Sequence, residues 1–166
     1  ECLQARRTLL GNTDPLTLLS VNNLGTVMFA QGDQQGAVAL LGEAVASRRR
    51  ELGALAPATL NSLSNLGNVH RAMGDNVKAV GMLEQALEGR RMAIGSKHID
   101  TLRSMGHLAS ALYDKGLHEP AEVRKADLDQ ALSLYREALE GCRCSPFLGD
   151  SHPLTLGIMN NLGNLL

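Results

Sequence analysis

The sequence predicts an all-α solenoid in which pairs of antiparallel helices stack side by side. The segment that begins at Thr17-Leu18 recurs 42 residues later at Thr59-Leu60, and again at Thr101-Leu102 and Thr155-Leu156. Apolar residues within each copy are spaced three or four apart, which is typical of one helix face. Aromatic residues make up only 2% of the chain, so aliphatic and small residues must form the core. Internal periods of this length indicate arrays whose units bury apolar faces against their neighbours.

The first copy contains two predicted helices. Asp14-Pro15 supplies an N-cap carboxylate and a proline at the first helical position. The first apolar stripe consists of Leu18, Val21, Leu24, Gly25 and Met28. Gly32-Asp33 predicts a turn. The second stripe consists of Ala37, Leu40, Leu41, Ala44 and Val45. Arg48-Arg49-Arg50 follows, and we interpret these cations as partners of the negative end of the helix dipole.

The second and third copies repeat the pattern. Pro57 opens the second copy, and Gly74-Asp75 separates its helices. Its two stripes consist of Leu63, Leu66, Gly67 and His70, then Ala79, Leu83, Ala86 and Leu87. The stripes of the third copy consist of Leu102, Met105, Leu108, Ala109 and Leu112, then Ala131, Leu134, Tyr135, Ala138 and Leu139. Each copy therefore predicts one antiparallel helix pair.

The step from the third to the fourth copy is 54 residues, so the third copy carries 12 extra residues. Ten of them lie near 118–129, and two follow the second helix near Cys144. Proline followed by helix formers favours an extension of the second helix by two to three turns, and a loop is the alternative. The extra segment is either a solvated projection or a contact for one particular partner.

These periods divide the chain into a single array of units. Residues 13–54, 55–96 and 97–150 are predicted repeats, and 1–12 and 151–166 are the second and first helices of two further, truncated repeats. Both ends divide a unit, so we expect the chain to be a fragment of a longer array. No run of ~18 apolar residues predicts a membrane span.

The repeats resemble tetratricopeptide repeats, in particular the 42-residue type of kinesin light chains. Small residues follow leucine in each first helix, at Leu24-Gly25, Leu66-Gly67, Leu108-Ala109 and Leu162-Gly163. The inter-repeat signature Gly-x-x-His-Pro-x-Thr-Leu is complete at Gly149–Leu156 and partial before the other three copies. The resemblance spans nearly the whole chain and implies a right-handed superhelix. Departures are the insertion and the Met, His or Leu residues at Met28, His70, Leu112 and Leu41, where the family often has aromatic residues.

The resemblance also implies a concave groove lined by the first helices. The groove residues it implies are Asn23, Asn61, Asn65, Asn68, Arg71, Arg103, His107, Tyr113, Asn161 and Asn164. Asn amides donate and accept hydrogen bonds, so they can pair with the backbone of an extended peptide. Arg71 and Arg103 favour an acidic peptide. The alternatives are that the Asn residues stabilise neighbouring helices and that the two arginines are solvated surface.

Composition and motifs exclude several classes of function. The net charge is −1, so no overall field recruits nucleic acid or an anionic membrane. No nucleotide-binding, hydrolase or metalloprotease motif occurs, and we expect no catalytic residues, metal or cofactor. His98 and His152 belong to the inter-repeat signature, where a turn role is expected. Cys2, Cys142 and Cys144 are expected to be free intracellular thiols, with a Cys142–Cys144 redox pair as the alternative.

The leading hypothesis is a protein-interaction scaffold that binds a protein or peptide, acidic if the two arginines contact it. Two alternatives stay open. One is a permanent structural subunit of a large complex, which would use its edges and inserted segment. The other is the repeat region of a longer sensor or regulatory protein that has further domains. RNA-binding helical repeats are a further class, but they typically have shorter repeats and a basic groove, and neither the period nor the charge of this chain fits them.

Overall fold

The computed structural model describes residues 2–166, which form eight α-helices and no strand. The helices are α1 (Cys2–Leu10), α2 (Pro15–Ala30), α3 (Gln34–Leu52), α4 (Pro57–Ala72), α5 (Asn76–Ile94), α6 (Ile99–Gly116), α7 (Ala121–Cys144) and α8 (Pro153–Leu165). The predicted all-α solenoid of helix pairs is confirmed. Its division into units at 13–54, 55–96 and 97–150 stays a prediction.

Successive helices pack against each other along the whole array, both within and between the pairs α2/α3, α4/α5 and α6/α7. The first helices of the pairs (α2, α4, α6 and α8) also contact one another directly. Across residues 2–166, no second helix (α1, α3, α5 or α7) approaches another within 8 Å between Cα atoms. Because the first helices are spaced more closely than the second helices, the array curves toward the first helices. The face of the first helices that points away from the second helices is therefore the concave, inner surface of the array.

Side-chain caps fix where several helices begin. The Asp14 carboxylate accepts from the backbone N–H of Leu16 at 2.8 Å, and Asp33 accepts from that of Gly36 at 2.8 Å. The imidazoles of His98 and His152 accept from the N–H groups of Asp100 and Leu154 in the same way. Satisfying these donors stabilises a helix by about 1 kcal/mol. The turn role expected for the two histidines is therefore confirmed.

Small residues at the centre of each pair let the two helices touch. A Cβ atom built on Gly67 would lie 2.9 Å from Cγ of Leu83, and one on Gly25 would lie 2.8 Å from Cγ of Leu41. Both leucines are fully buried. One expected core residue is misplaced: Leu24 is 40% exposed, whereas its equivalent Leu66 is 6% exposed. Leu66 packs against α3, and α1 contains only the residues equivalent to the second half of that helix.

The insertion lengthens both helices of the third pair. Helix α7 begins ten residues before the buried Ala131, whereas α3 begins three residues before the equivalent Ala37. This gives α7 about two additional turns at its N-terminus, and α6 is two residues longer than α4. The pair consequently ends in a projecting hairpin formed by 113–128. An ion pair holds it, because Lys115 Nζ lies 2.8 Å from the buried Asp127 carboxylate.

None of the helices described between residues 2 and 166 combines the length and apolar character needed to cross a bilayer.

Candidate functional site

Two adjoining cavities lie along the inner surface and are lined mainly by the first helices. The N-terminal cavity, about 390 Å³, lies over α2, α4 and the start of α6. The C-terminal cavity, about 430 Å³, lies between α6 and α8. Arg103 and His107 line both cavities. We call the two together the groove.

A buried arginine, Arg48, forms part of the floor of the N-terminal cavity. It comes from the last turns of α3 and is 5% exposed. Its guanidinium donates to the carbonyl oxygens of Ala58 (2.9 Å) and Leu18 (3.2 Å) and to Ser62 Oγ (2.7 Å). One side chain thereby links α2, α3 and α4, although burial lowers its pKa. The interpretation of Arg48 as an exposed partner of the helix dipole is wrong.

Arg90 occupies the equivalent place on α5 and is 7% exposed. Its Nη1 donates to Ser64 Oγ at 2.8 Å and also to Ser104 Oγ, while its Nη2 donates to Asn61 Oδ1 at 2.6 Å. Burial lowers the pKa of Arg90, and Asp100 opposes that shift. The arginine therefore joins α4, α5 and α6 and reaches a residue of the groove.

The two arginines belong to a periodic series that the sequence analysis did not single out. Arg6, Arg48 and Arg90 are 42 residues apart, and each donates to a serine 14 residues later: Ser20, Ser62 and Ser104. The recurring Arg/Ser pair was a usable signal. The series ends at the fourth copy, where the buried Cys142 and Ile158 stand at the equivalent positions. The floor of the groove thus changes from polar to apolar toward α8.

The C-terminal cavity has an aromatic wall. Ser110 donates to the carbonyl oxygen of Gly106 at 2.9 Å, so the Tyr135 hydroxyl, 2.7 Å away, donates to Ser110 Oγ. Burial raises the pKa of Tyr135, so this proton is retained. Asn161 Nδ2 also points to Ser110, at 3.4 Å. Gly106 has no side chain where Asn22 and Ser64 stand in earlier copies, which leaves room between α6 and α8.

His107 lies at the junction of the two cavities. Asn68 Nδ2, which can only donate, lies 3.2 Å from His107 Nδ1, so this ring nitrogen accepts. Burial, followed by the charges of Arg71, Arg103 and Arg90, lowers the pKa of His107 to about 4. The imidazole is therefore neutral at pH 7.

Positive charge dominates the groove although the whole chain has a net charge of −1. Arg71 and Arg103 line it above the buried Arg48 and Arg90. Two carboxylates form ion pairs with them, each through a single nitrogen: Asp114 lies 3.5 Å from Arg71 Nη1, and Asp100 lies 3.4 Å from Arg103 Nη1. Each guanidinium has five N–H donors, so the half-buried Arg71 and the exposed Arg103 keep donors free for a ligand.

Nine of the ten predicted groove residues line the two cavities. Those at the N-terminal cavity are Asn23, Asn61, Asn65, Arg103 and His107, and those at the C-terminal cavity are Arg71, Arg103, His107, Tyr113, Asn161 and Asn164. Asn68 lines neither cavity and reaches the surface through His107. Sequence reasoning missed Asn22, Arg48, Arg90, Ser110, Asp114 and Tyr135.

The three cysteines are free thiols; Cys142 is buried, whereas Cys2 and Cys144 are exposed. Burial raises the pKa of the Cys142 thiol. Residues 2–166 contain no group of three or more His, Cys, Asp or Glu side chains placed to hold a metal ion.

Comparison with known proteins decides the family. A sequence model of the tetratricopeptide repeat matches residues 17–92 and 57–125, which together span more than half of the chain. The chain belongs to the tetratricopeptide repeat family. Its fold is thus that of a protein-interaction scaffold, and its helix pairs are tetratricopeptide repeats. No curated protein sequence is similar enough to count as a match.

Solved structures place these tetratricopeptide repeats near the kinesin light chain type. A Podosopora anserina protein with nearly identical TPR-like repeats, assigned as a kinesin light chain, superposes with a TM-score of 0.76 at 25% identity over 98% of this chain and 72% of its own. A point variant of that protein superposes with a TM-score of 0.78 at 25% identity, and the match covers 98% of this chain and 71% of the variant. BtubC (BKLC) from P. vanneervenii superposes with a TM-score of 0.69 at 18% identity. The match covers 92% of this chain and 56% of BtubC, and it shows similarity of fold alone.

Proposed function

We propose that this tetratricopeptide array binds a partner protein by holding an extended segment of it along the groove. The observation that carries the proposal is the row of polar side chains at one equivalent position of consecutive first helices: Asn23, Asn65, His107 and Asn161. Each lies on the inner surface, and the three asparagine amides can pair with peptide backbone. A single such bond contributes only about 1 kcal/mol, so several copies acting together would supply the affinity.

An acidic segment fits this groove best. Arg71 and Arg103 have free donors, and a guanidinium can form two parallel hydrogen bonds with a carboxylate. The buried arginines below add to the positive potential without being exposed themselves. A basic segment would meet four arginines against the two carboxylates of Asp100 and Asp114, so charge also supplies discrimination between partners.

The experiment is a selection of random dodecapeptides on the wild-type array, followed by titration of a labelled, selected peptide by fluorescence anisotropy. Replacing Asn23 and Asn65 together by alanine should weaken binding at least tenfold while the helical circular dichroism signal is unchanged. Gln130→Ala is the matched control, because Gln130 is an exposed amide on α7, outside the groove. Arg103→Ala should weaken acidic peptides selectively, with Arg136→Ala on α7 as its control. Unchanged affinity in the Asn double variant would refute the groove.

The projecting hairpin favours a second candidate, a permanent subunit of a larger complex. Its tip is exposed, with Leu117 50% and Val123 44% accessible. Besides the ion pair of Lys115 with Asp127, Arg124 donates to the carbonyl oxygens of Gly116 (3.1 Å) and Glu119 (3.2 Å). A preorganised projection costs little entropy to dock. A size measurement in native extract, before and after dilution, distinguishes the two candidates. A permanent subunit stays in one large species on dilution, whereas a reversible scaffold dissociates from its partner.

A further inference from the structure

We infer that Arg90 is a positioning residue that makes Asn61 a hydrogen-bond donor toward the groove. This inference rests on the proposed function and specifies what the groove recognises at one place. Arg90 donates through Nη2 to Asn61 Oδ1 at 2.6 Å, and its Nη1 is held by Ser64 and Ser104. Asn61 is itself exposed and lines the N-terminal cavity.

The orientation of the Asn61 amide follows from hydrogen-bond chemistry. A guanidinium has donors only, so the amide atom that faces it must be the oxygen. The amide nitrogen lies on the other side of the amide carbon, so both of its N–H groups remain available to a ligand. The oxygen faces a guanidinium 7% exposed, and turning the amide over would leave donor against donor in a buried place, at a high cost.

Three nearby asparagines, two of them in the groove and Asn68 beside it, are oriented the opposite way. Asn65 donates through Nδ2 to Asn22 Oδ1 (3.4 Å), Asn68 donates to His107 and Asn161 donates to Ser110. Each of them uses an N–H group within the protein and keeps its oxygen for a ligand. Within the groove, Asn65 and Asn161 therefore present their oxygens, whereas Asn61 presents N–H groups, as does Asn23, whose oxygen accepts from Asn22 Nδ2 at 3.4 Å.

The arrangement is particular to the second repeat. At the position equivalent to Asn61, the first repeat has Leu19, and the equivalent arginine, Arg48, donates to the carbonyl oxygen of Leu18 instead. A ligand must thus place an acceptor, either a peptide carbonyl or a carboxylate, over Asn61. Arg90 never touches that ligand and acts only through the amide that it holds.

Two aspartate substitutions test this polarity with the labelled dodecapeptide selected on the wild-type array. In Asn61→Asp, the carboxylate still accepts from Arg90, but the group that faces the groove becomes an acceptor. Asn65→Asp adds the same charge about one helical turn away at a residue that already presents its oxygen. It also loses the Nδ2 bond to Asn22, and any effect of that loss works against the expected difference. We expect Asn61→Asp to lose at least tenfold more affinity than Asn65→Asp, and its unfolding midpoint in urea to be equal to or above that of the wild type.

A double-mutant cycle tests Arg90 itself. Arg90→Lys should weaken binding at least fivefold when Asn61 is present and less than twofold in the Asn61→Ala background, because only the amide transmits its effect. Arg48→Lys, an equivalent buried change beside Leu19, should affect binding equally in both backgrounds. If Arg90→Lys does not fold, the comparison of the two aspartate variants still decides.

The outcomes distinguish this inference from the proposed function. If no dodecapeptide binds the wild-type array, the proposed function fails and the inference fails with it. If peptides bind but Asn61→Asp and Asn65→Asp lose the same affinity, only the inference is overturned. A tenfold difference supports both.

Discussion

Asn68 Nδ2 lies 3.2 Å from His107 Nδ1, so one hydrogen bond joins α4 to α6 where the two cavities meet. The bond needs an unprotonated Nδ1. Its equivalent between α6 and α8 joins Asn161 Nδ2 to Ser110 Oγ at 3.4 Å, and in the part of the chain that the structure describes no equivalent joins α2 to α4. A single neutral imidazole thus couples the second and third repeats at the centre of the groove.

Acidification should weaken the array through His107. Its folded pKa, about 4, lies below the ordinary value of 6.5, so the unfolded chain binds more protons between these values and stability falls as pH drops from 6.5 to 4. Each pKa unit corresponds to about 1.4 kcal/mol of unfolding free energy. Because the ring is partly exposed, we expect a total loss of about 2 kcal/mol. Urea unfolding at pH 4, 5, 6.5 and 8 measures it. His107→Asn, which restores the residue of the other copies, should remove this part of the pH dependence; an identical profile would contradict the assignment.

Loss of Arg48 should destabilise the array far more than loss of a neighbouring arginine. Arg48→Met removes three hydrogen bonds and leaves the carbonyl oxygens of Leu18 and Ala58 without that partner, so we expect a loss of about 3 kcal/mol. Arg50→Met is the control: Arg50 is 66% exposed and pairs only with the adjacent Glu51, and it should cost less than about 0.5 kcal/mol. Chemical denaturation compares them, and equal losses would show that burial of Arg48 has no energetic consequence.

Two glycine-to-alanine substitutions should change stability in opposite directions. Gly67→Ala places a methyl group 2.9 Å from Leu83 Cγ, so we expect a loss of about 1–3 kcal/mol from overpacking. Gly81, within α5, has open space where a Cβ atom would lie, with no atom of a neighbouring element within 4 Å, so Gly81→Ala should stabilise the helix by up to about 1 kcal/mol. Thermal unfolding followed by circular dichroism measures both. A stabilising Gly67→Ala would refute the tight contact between α4 and α5.

The projecting hairpin should depend on its ion pair. Lys115→Met leaves the Asp127 carboxylate, 7% exposed, without its cation, and opening the hairpin to admit water limits the cost to about 2 kcal/mol. Hydrogen exchange should accelerate in residues 117–128 and remain unchanged in α4 and α5. Lys78→Met removes an exposed pair with Asp75 and should have little effect. Uniformly faster exchange over the whole array would contradict a local role.

Helix caps and close helix contacts could be predicted from the sequence because they depend on residues that are near in the chain or that recur with the repeat. The Asp14 cap, the turn roles of His98 and His152 and the small residues at Gly25 and Gly67 depend on neighbours within a turn or on a repeated pattern. The groove residues were accessible through the family resemblance, since equivalent positions in stacked repeats face the same way. Their use in binding stays a prediction.

By itself, the sequence determined the helix pairs, their caps and the period that stacks them. Only the tertiary structure decided the roles of three successive arginines: Arg48 is buried beneath the groove, Arg49 reaches Gln85 on the next second helix, and Arg50 faces solvent. Successive residues point about 100° apart around a helix, and identical side chains carry no local mark of which direction meets a neighbour. That direction is set by how α4 lies against α3, a contact between distant segments, and the same contact sets which atoms the groove amides offer to a ligand.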